Sequence, residues 1–297
     1  MRPVLLALIA GAAVLAAPPR LLAQLEEPPM EARVLADGDS GSTWSIAEAT
    51  MEPGDTHARA GRAMRFHIDV NHETGEVNYP IGWPRTYISL PEGERDWSGW
   101  DFIDFWLYAE SSREALPTTP LGFIVRCPDK NSSFTTNLSD ARLGEWVHFR
   151  FPISSLPDPA NCAAVQFYIS ESNYQHGDVL DFWIDDLRLL RYSEPTLISV
   201  QPLNQVAFRD QPVLRIAVDL TGLEEGATAQ VEVGLRRDGE GVALAATALG
   251  AGLATIALPL DAAPAGSYEA WARVAGSDRT LTQPVRVVSS PWEAEGQ

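Results

Sequence analysis

Between Glu31 and Arg191 the chain is cut into short runs of β-branched, aromatic and large apolar residues, and no amphipathic helical period of useful length intervenes. Arg33–Ala36, Ala63–Val70, Thr86–Leu90, Phe102–Ala109, Leu121–Cys127, Ser133–Leu138, Trp146–Phe151, Ala164–Ile169 and Leu180–Leu190 read as strands. Pro91-Glu92-Gly93, Leu116-Pro117-Thr118, Leu143-Gly144-Glu145 and Pro157-Asp158-Pro159 separate them as turns. Strands so divided bury their apolar faces by stacking sheet on sheet, which predicts an all-β sandwich or jelly roll.

A second composition, rich in Ala, Val, Gly and Leu, begins near Glu194-Pro195. It predicts strands at Thr196–Gln201, Val213–Leu220, Ala229–Arg236, Val242–Leu249, Ala254–Leu258, Gly266–Val274 and Leu281–Val288. Such a set over about 95 residues suits a smaller immunoglobulin- or fibronectin-like sandwich. Gly266-Ser267-Tyr268-Glu269-Ala270 fits a tyrosine corner, in which the Tyr268 hydroxyl bonds nearby backbone. The expected layout is a jelly roll over 31–192, an immunoglobulin-like sandwich over 196–289 and a tail over 290–297. The short junction at Tyr192–Thr196 implies a fairly fixed angle between the two.

One strand carries an electrostatic problem. In Asp181-Phe182-Trp183-Ile184-Asp185-Asp186-Leu187-Arg188-Leu189-Leu190, strict alternation puts Trp183, Asp185, Leu187 and Leu189 on one face. Burying an unpaired carboxylate costs several kcal/mol, so Asp185 calls for a cation beside it, either a metal ion or an arginine.

The formal net charge of −18 argues against nucleic acid and anionic membranes as partners, and is compatible with neutral polymers and with cations. Arg2, the apolar run Val4–Ala17, Pro18-Pro19 and Ala23 form a secretory signal over residues 1–23. That run is too short to span a bilayer comfortably and no later stretch qualifies, so no membrane insertion is expected. The mature protein is expected to be secreted, extracellular or periplasmic. In such a compartment Cys127 and Cys162 are free to pair as a disulfide; the alternative is two unrelated buried thiols.

Three stretches in order carry a resemblance to a known family. They are Val34-Leu35-Ala36-Asp37-Gly38, then Trp97 through Tyr108, then Gly144 through Phe149 together with Phe182 through Leu189. The chain from Glu31 to Arg191 resembles the galactose-binding-like jelly rolls that serve as carbohydrate-binding modules. The resemblance implies a structural calcium tying the opening strand to the closing one. Carried over, it points to Asp185 and Asp37, with Asp39 as a substitute for Asp37 and a backbone carbonyl near Gly61. Oxygen ligands from distant strands suit calcium, which accepts six to eight of them.

Sugar binding needs flat aromatic faces for the apolar side of a pyranose and planar polar groups for its hydroxyls. Tyr79, Trp83 and Arg85 lie in a Pro- and Gly-rich loop and form the first candidate group. Tyr174 with His176 forms a second, and Asn131 with Phe134 a third. For each the alternative is an aromatic that plugs the end of the sandwich. Trp97, Trp100, Trp106, Trp146 and Trp183 lie in or beside strands and are expected in the core.

Signals for catalysis are weak. Gly38-Asp39-Ser40-Gly41 has the look of a serine-protease motif, but no histidine precedes His57. Asp37-x-Asp39 lacks the rest of an EF-hand loop, and His72-Glu73 lacks a second histidine at zincin spacing. Acids are abundant enough that a glycosidase pair would pass unnoticed. Ser289-Ser290-Pro291-Trp292-Glu293 resembles the junction at which longer proteins pass from such β-modules into a glycoside-hydrolase domain, which makes a hydrolase a possible partner. The reading is a non-catalytic protein that binds a carbohydrate polymer or glycan, with a structural calcium and an immunoglobulin-like spacer. The competing readings are an adhesive or structural surface scaffold without sugar binding, or the ancillary front half of a glycoside hydrolase.

Overall fold

Alternating apolar residues in the first half build two sheets that close on each other. The strands are β1 (Met30–Ala36), β2 (Ser45–Ala47), β3 (Thr50–Gly54), β4 (Ala63–Asp69), β5 (Arg85–Ser89) and β6 (Phe102–Ser111), followed by β7 (Gly122–Cys127), β8 (Ser132–Asn137), β9 (Trp146–Pro152), β10 (Ala164–Tyr168) and β11 (Val179–Tyr192). This computed structural model describes residues 27–73, 81–128, 132–211, 213–260 and 263–290. The segment 1–23 read as a secretory signal, Tyr79, Asn131 and, Ser290 excepted, the expected tail 290–297 lie outside the described residues. Sheet 1 is six-stranded, ordered β3-β4-β11-β6-β9 with β1 paired to β11, and sheet 2 is five-stranded, ordered β2-β5-β10-β7-β8. Every pairing in the two is antiparallel.

The space between the sheets is filled mainly by aromatic rings. Phe66, Phe105, Phe123, Phe167 and Phe182 are all fully buried. Phe105 stands edge-on to Phe167 at 5.3 Å and stacks on Phe149 at 5.6 Å. Each such side chain contributes about 1.5–3 kcal/mol on burial, so this cluster dominates the stability of the first sandwich. The central strand β11 supplies Leu180, Phe182 and Ile184 to it, and then Leu187 and Leu189.

That change of parity corrects the sequence-based face assignment. Pairing of β11 with β6 shifts register between Asp185 and Arg188, and Asp186 adopts a left-handed φ of 54°. The bulge inserts one residue and exchanges the two faces beyond it. Trp183 and Asp185 therefore stand on the outer face of sheet 1, while Leu187 and Leu189 point into the core.

The second half forms β12 (Thr196–Pro202), β13 (Val206–Phe208), β14 (Val213–Thr221), β15 (Ala229–Arg237), β16 (Glu240–Leu249), β17 (Gly252–Pro259), β18 (Gly266–Val274) and β19 (Leu281–Val288). A three-stranded sheet β12-β14-β17 faces a five-stranded sheet β13-β19-β18-β15-β16. Ile216, Val218, Val231, Val233 and Leu258 form a separate core between them. The Tyr268 hydroxyl donates to the Pro264 carbonyl at 2.6 Å, the contact that a tyrosine corner requires.

The all-β prediction holds through both halves. The sequence reading passed over β2, β3 and β13. The first two are edge strands of their sheets and the third is a short edge strand, and β3 carries Pro53 and Gly54, which sheets tolerate at their edges.

Candidate functional site

The residues assigned to a cation are committed to protein donors. The Asp185 carboxylate is 3% exposed. It accepts the Arg59 N–H at 2.8 Å and the Asp186 N–H at 2.9 Å. Burial, ahead of these donors, holds its pKa above the ordinary carboxyl value. Asp39 takes the Arg62 N–H at 2.9 Å and the Arg62 guanidinium at 3.0 Å, which lowers its pKa. Asp37 accepts the Asp39 N–H at 2.9 Å and the Ser40 N–H within its own turn. Gly61 has φ of 61°, and a Cβ there would lie 1.9 Å from an Asp39 carboxylate oxygen.

The Asp185 and Asp39 carboxylates thus accept backbone N–H groups of the segment from His57 to Arg62 and clasp it. Among the described residues no set of three or more His, Cys, Asp or Glu is arranged to hold a metal ion. Asp37, Asp39 and Asp185 accept backbone N–H groups at the positions where the resemblance implied a calcium. Asp185 does have an arginine beside it, but through that residue's backbone. The Arg59 guanidinium instead lies 3.5 Å from the centroid of Trp106.

The clasped segment covers the outer face of sheet 1. His57 stacks on Tyr108 at 4.2 Å, meets Trp183 edge-on at 5.3 Å and pairs with Glu110 at 2.9 Å. Trp97 is the core residue that the sequence suggested, and Trp100 packs against the same core. Trp106, Trp146 and Trp183 depart from that expectation and belong to this outer face, with Trp183 buried beneath the segment. The charged groups here are mutually paired: Asp181 takes Arg65 and His67, and Asp104 takes His148, Arg150 and Arg188, while the buried Trp183 Nε1 has no hydrogen-bond partner among the described residues.

Two sugar candidates are likewise structural. Tyr174 is 4% exposed, donates to the Pro120 carbonyl at 2.6 Å, and has its pKa raised by burial. Phe134 packs on the core against Phe123 and Phe151. His176 is exposed, and its Nδ1 accepts the His72 N–H at 3.2 Å. Cys127 and Cys162 are both free thiols and both buried. Burial first, and then the neighbouring Cys127, raises the pKa of Cys162.

Trp83 stands in the loop that the sequence suggested, whereas Arg85 opens β5 and pairs with both β2 and β10. Trp83 is 40% exposed, so it is no plug. Its backbone N–H is held by Glu48 at 2.6 Å, and the neighbouring Gly82 N–H by Glu171 at 2.7 Å. The Arg85 guanidinium lies 4.7 Å from the Trp83 ring centroid, and Tyr168 meets Trp83 edge-on at 5.5 Å.

From this corner the outer face of sheet 2 continues as rows set by strand register. Ala47, Arg85, Tyr168, Gly122 and Asn137 form one row, and Ser45, Tyr87, Gln166, Ile124 and Thr135 the next. Arg126 stands in a third row, opposite Ala164. Tyr168 lies over Gly122, where an added Cβ would come within 2.2 Å of its ring. Gln166 is 1% exposed although it is on an outer face. Its Oε1 accepts the Nε and Nη2 of Arg126, while its Nε2 has no hydrogen-bond partner among the described residues. Sequence reading missed Tyr87, Arg126, Gln166 and Tyr168. The available signal was period-two alternation in β5 and β10, which sets these side chains opposite the core residues Ile88, Val165 and Phe167.

No family model matches the chain, and no curated protein does. Among solved structures it is similar to a β-1,2-glucanase from Parabacteroides distasonis, at 16% identity and a TM-score of 0.34, over 88% of this chain and 37% of that one. It is also similar to CBM27-1 of Caldicellulosiruptor saccharolyticus, crystallised with mannohexaose, at 18% identity and a TM-score of 0.34, over 54% of this chain and 96% of that one. A third is the adhesin domain of Epf from Streptococcus pyogenes, at 10% identity and a TM-score of 0.26, over 87% of each chain. The chain spans 37% and 36% of the first two solved proteins it matches. At these identities and scores the likeness is one of β-rich build alone.

Proposed function

We propose that this chain is a secreted, non-catalytic glycan-binding protein, with the outer face of sheet 2 as its binding surface and the second sandwich as an immunoglobulin-like spacer. The observation that carries this reading is Gln166, a buried amide in the middle of an outer sheet face whose N–H donors lack a partner. Leaving a buried donor unsatisfied costs about 1–3 kcal/mol, a penalty that a ligand acceptor would remove once the overlying side chains shift to expose it. Around it stand the elements that a sugar needs. Trp83, Tyr87 and Tyr168 offer ring surface, and Arg85 and Arg126 offer planar donors.

The test is retention of the full chain by a panel of immobilised polysaccharides, with Trp83→Ala, Tyr168→Ala and Gln166→Ala beside the wild type. Truncation of an aromatic hot spot costs at least about 2 kcal/mol, or roughly thirtyfold in affinity. Loss of retention with an intact melting curve supports the proposal. Retention by no polysaccharide at all leaves the adhesive-scaffold reading in its place.

A further inference from the structure

We infer that the sheet 2 face takes an acidic polysaccharide, one bearing carboxylate or sulfate groups, with Arg126 and Arg85 as the anion-reading residues. This inference rests on the glycan-binding reading and names its ligand class.

The charge is distributed against the grain of the chain. The formal net charge is −18, with 40 acidic residues. Yet β2, β5, β7, β8 and β10 contain no Asp or Glu, and their only charged residues are Arg85 and Arg126. On sheet 1, β6 and β11 alone carry Asp104, Glu110, Asp181, Asp185 and Asp186. The arginines there are neutralised: Arg65 pairs with Asp181, and Arg150 and Arg188 with Asp104. Arg85 and Arg126 form no ion pair among the described residues. The acids nearest the Trp83 corner, Glu48 and Glu171, are engaged by the N–H groups of Trp83, Gly82 and Asn71.

Hydrogen-bonding polarity points the same way. Sugar hydroxyls both donate and accept, so a face matched to a neutral glycan needs strong acceptors. Sheet 2 has hydroxyl and amide groups that can act both ways but no carboxylate, and its charged groups are donors: Arg85 and the guanidinium of Arg126 beyond its bonds to Gln166. That set matches a ligand rich in acceptors, and guanidinium binds carboxylate and sulfate-like anions through paired, charge-assisted bonds. Arg85 and Arg126 are four residues apart in register and two strands apart, roughly 16 Å between Cα atoms from ordinary strand spacings. Two charges so spaced suit a polymer with repeating anions better than a single charged sugar. A positive face on a negative protein also focuses attraction at one place and repels polyanions elsewhere.

The experiment is affinity electrophoresis of the full chain through gels containing polygalacturonate, dextran sulfate, a neutral galactomannan or single-stranded DNA. Retention by the uronate or the sulfated polymer is expected, declining with salt, and the arm that retains identifies the anion. Arg126→Gln and Arg85→Gln should each weaken it at least about tenfold, with melting curves confirming the fold. Arg286→Gln, which removes the same charge from the second sandwich, should not. Retention by galactomannan that is indifferent to the arginine changes would overturn acid recognition and leave the glycan-binding reading standing. Equal retention by DNA, or an equal loss in Arg286→Gln, would overturn it as unspecific attraction. Absence of retention by every polymer would overturn both.

Discussion

Asp185 and Leu187 are two residues apart on β11, yet they stand on opposite faces of sheet 1. The bulge at Asp186 separates them, and Asp is among the few residues that take its left-handed φ at low cost. The bulge moves the carboxylate away from the ring-filled core and onto the N–H groups of the segment that covers Trp106 and Trp183. There Asp185 anchors a loop by accepting that loop's backbone N–H groups.

Removing that anchor should destabilise the protein without any metal dependence. Asp185→Ala orphans the N–H groups of Arg59 and Asp186, a loss of about 1–3 kcal/mol for each donor left buried. A calcium chelator should leave the wild-type melting temperature unchanged. A chelator-induced drop that Asp185→Asn abolishes would return a cation to this position.

The two cysteines give a second prediction. Cys127 and Cys162 are both buried in the first core, on the core side of sheet 2 and in the loop before β10. In an oxidising compartment they are expected to join, and removal of a native disulfide typically costs 2–5 kcal/mol. Mass spectrometry of the non-reduced secreted protein should show no free thiol. A secreted form that alkylates at both positions on unfolding would show instead that they serve as packing groups.

The junction between the sandwiches is held by Asp101. Its carboxylate accepts the Tyr192 N–H at 2.9 Å and the Thr221 hydroxyl at 3.2 Å. Across the same seam, Gly222 has φ of 73°, and a Cβ there would lie 2.0 Å from the Glu194 carbonyl oxygen. Asp101→Ala should loosen the angle between the sandwiches, read as a broadened small-angle scattering profile, while each core stays folded. An unchanged profile would place the rigidity in the short connecting chain alone.

The fold was legible because it depends on alternation and punctuation, which are local. Ile88, Val165 and Phe167 face inward wherever their strands pair. Of the candidate site only Trp83 and its neighbour Arg85 were singled out from the sequence, because Pro and Gly mark the loop that leads into β5. Gln166 and Tyr168 read as ordinary strand residues, and their meaning depends on which strands flank β10. Asp185 was misread because a bulge is invisible to a period-two count. The tryptophans on sheet 1 were assigned to the core because apolar character does not say which face a covering loop will bury.

The last prediction concerns Gly122 and Tyr168. They are register partners on β7 and β10, and the ring of Tyr168 lies flat across the glycine with no side chain beneath it. This leaves the ring beside Trp83 as part of one aromatic corner. A methyl group at position 122 would fall within 2.2 Å of the ring, so Tyr168 must swing away. Gly122 has no positive φ, so alanine is compatible with its strand backbone, and the change should leave the melting temperature within a few degrees of wild type. Affinity for the retained polysaccharide should nevertheless fall by about tenfold, or roughly 1.4 kcal/mol, because the aromatic surface is broken without being removed. Tyr168→Ala should give a comparable loss, and Gly122→Ala combined with Tyr168→Ala should lose little more than either alone, as expected of residues acting through one contact. Additive losses in the double variant would show that Gly122 matters to the site for a reason other than seating this ring.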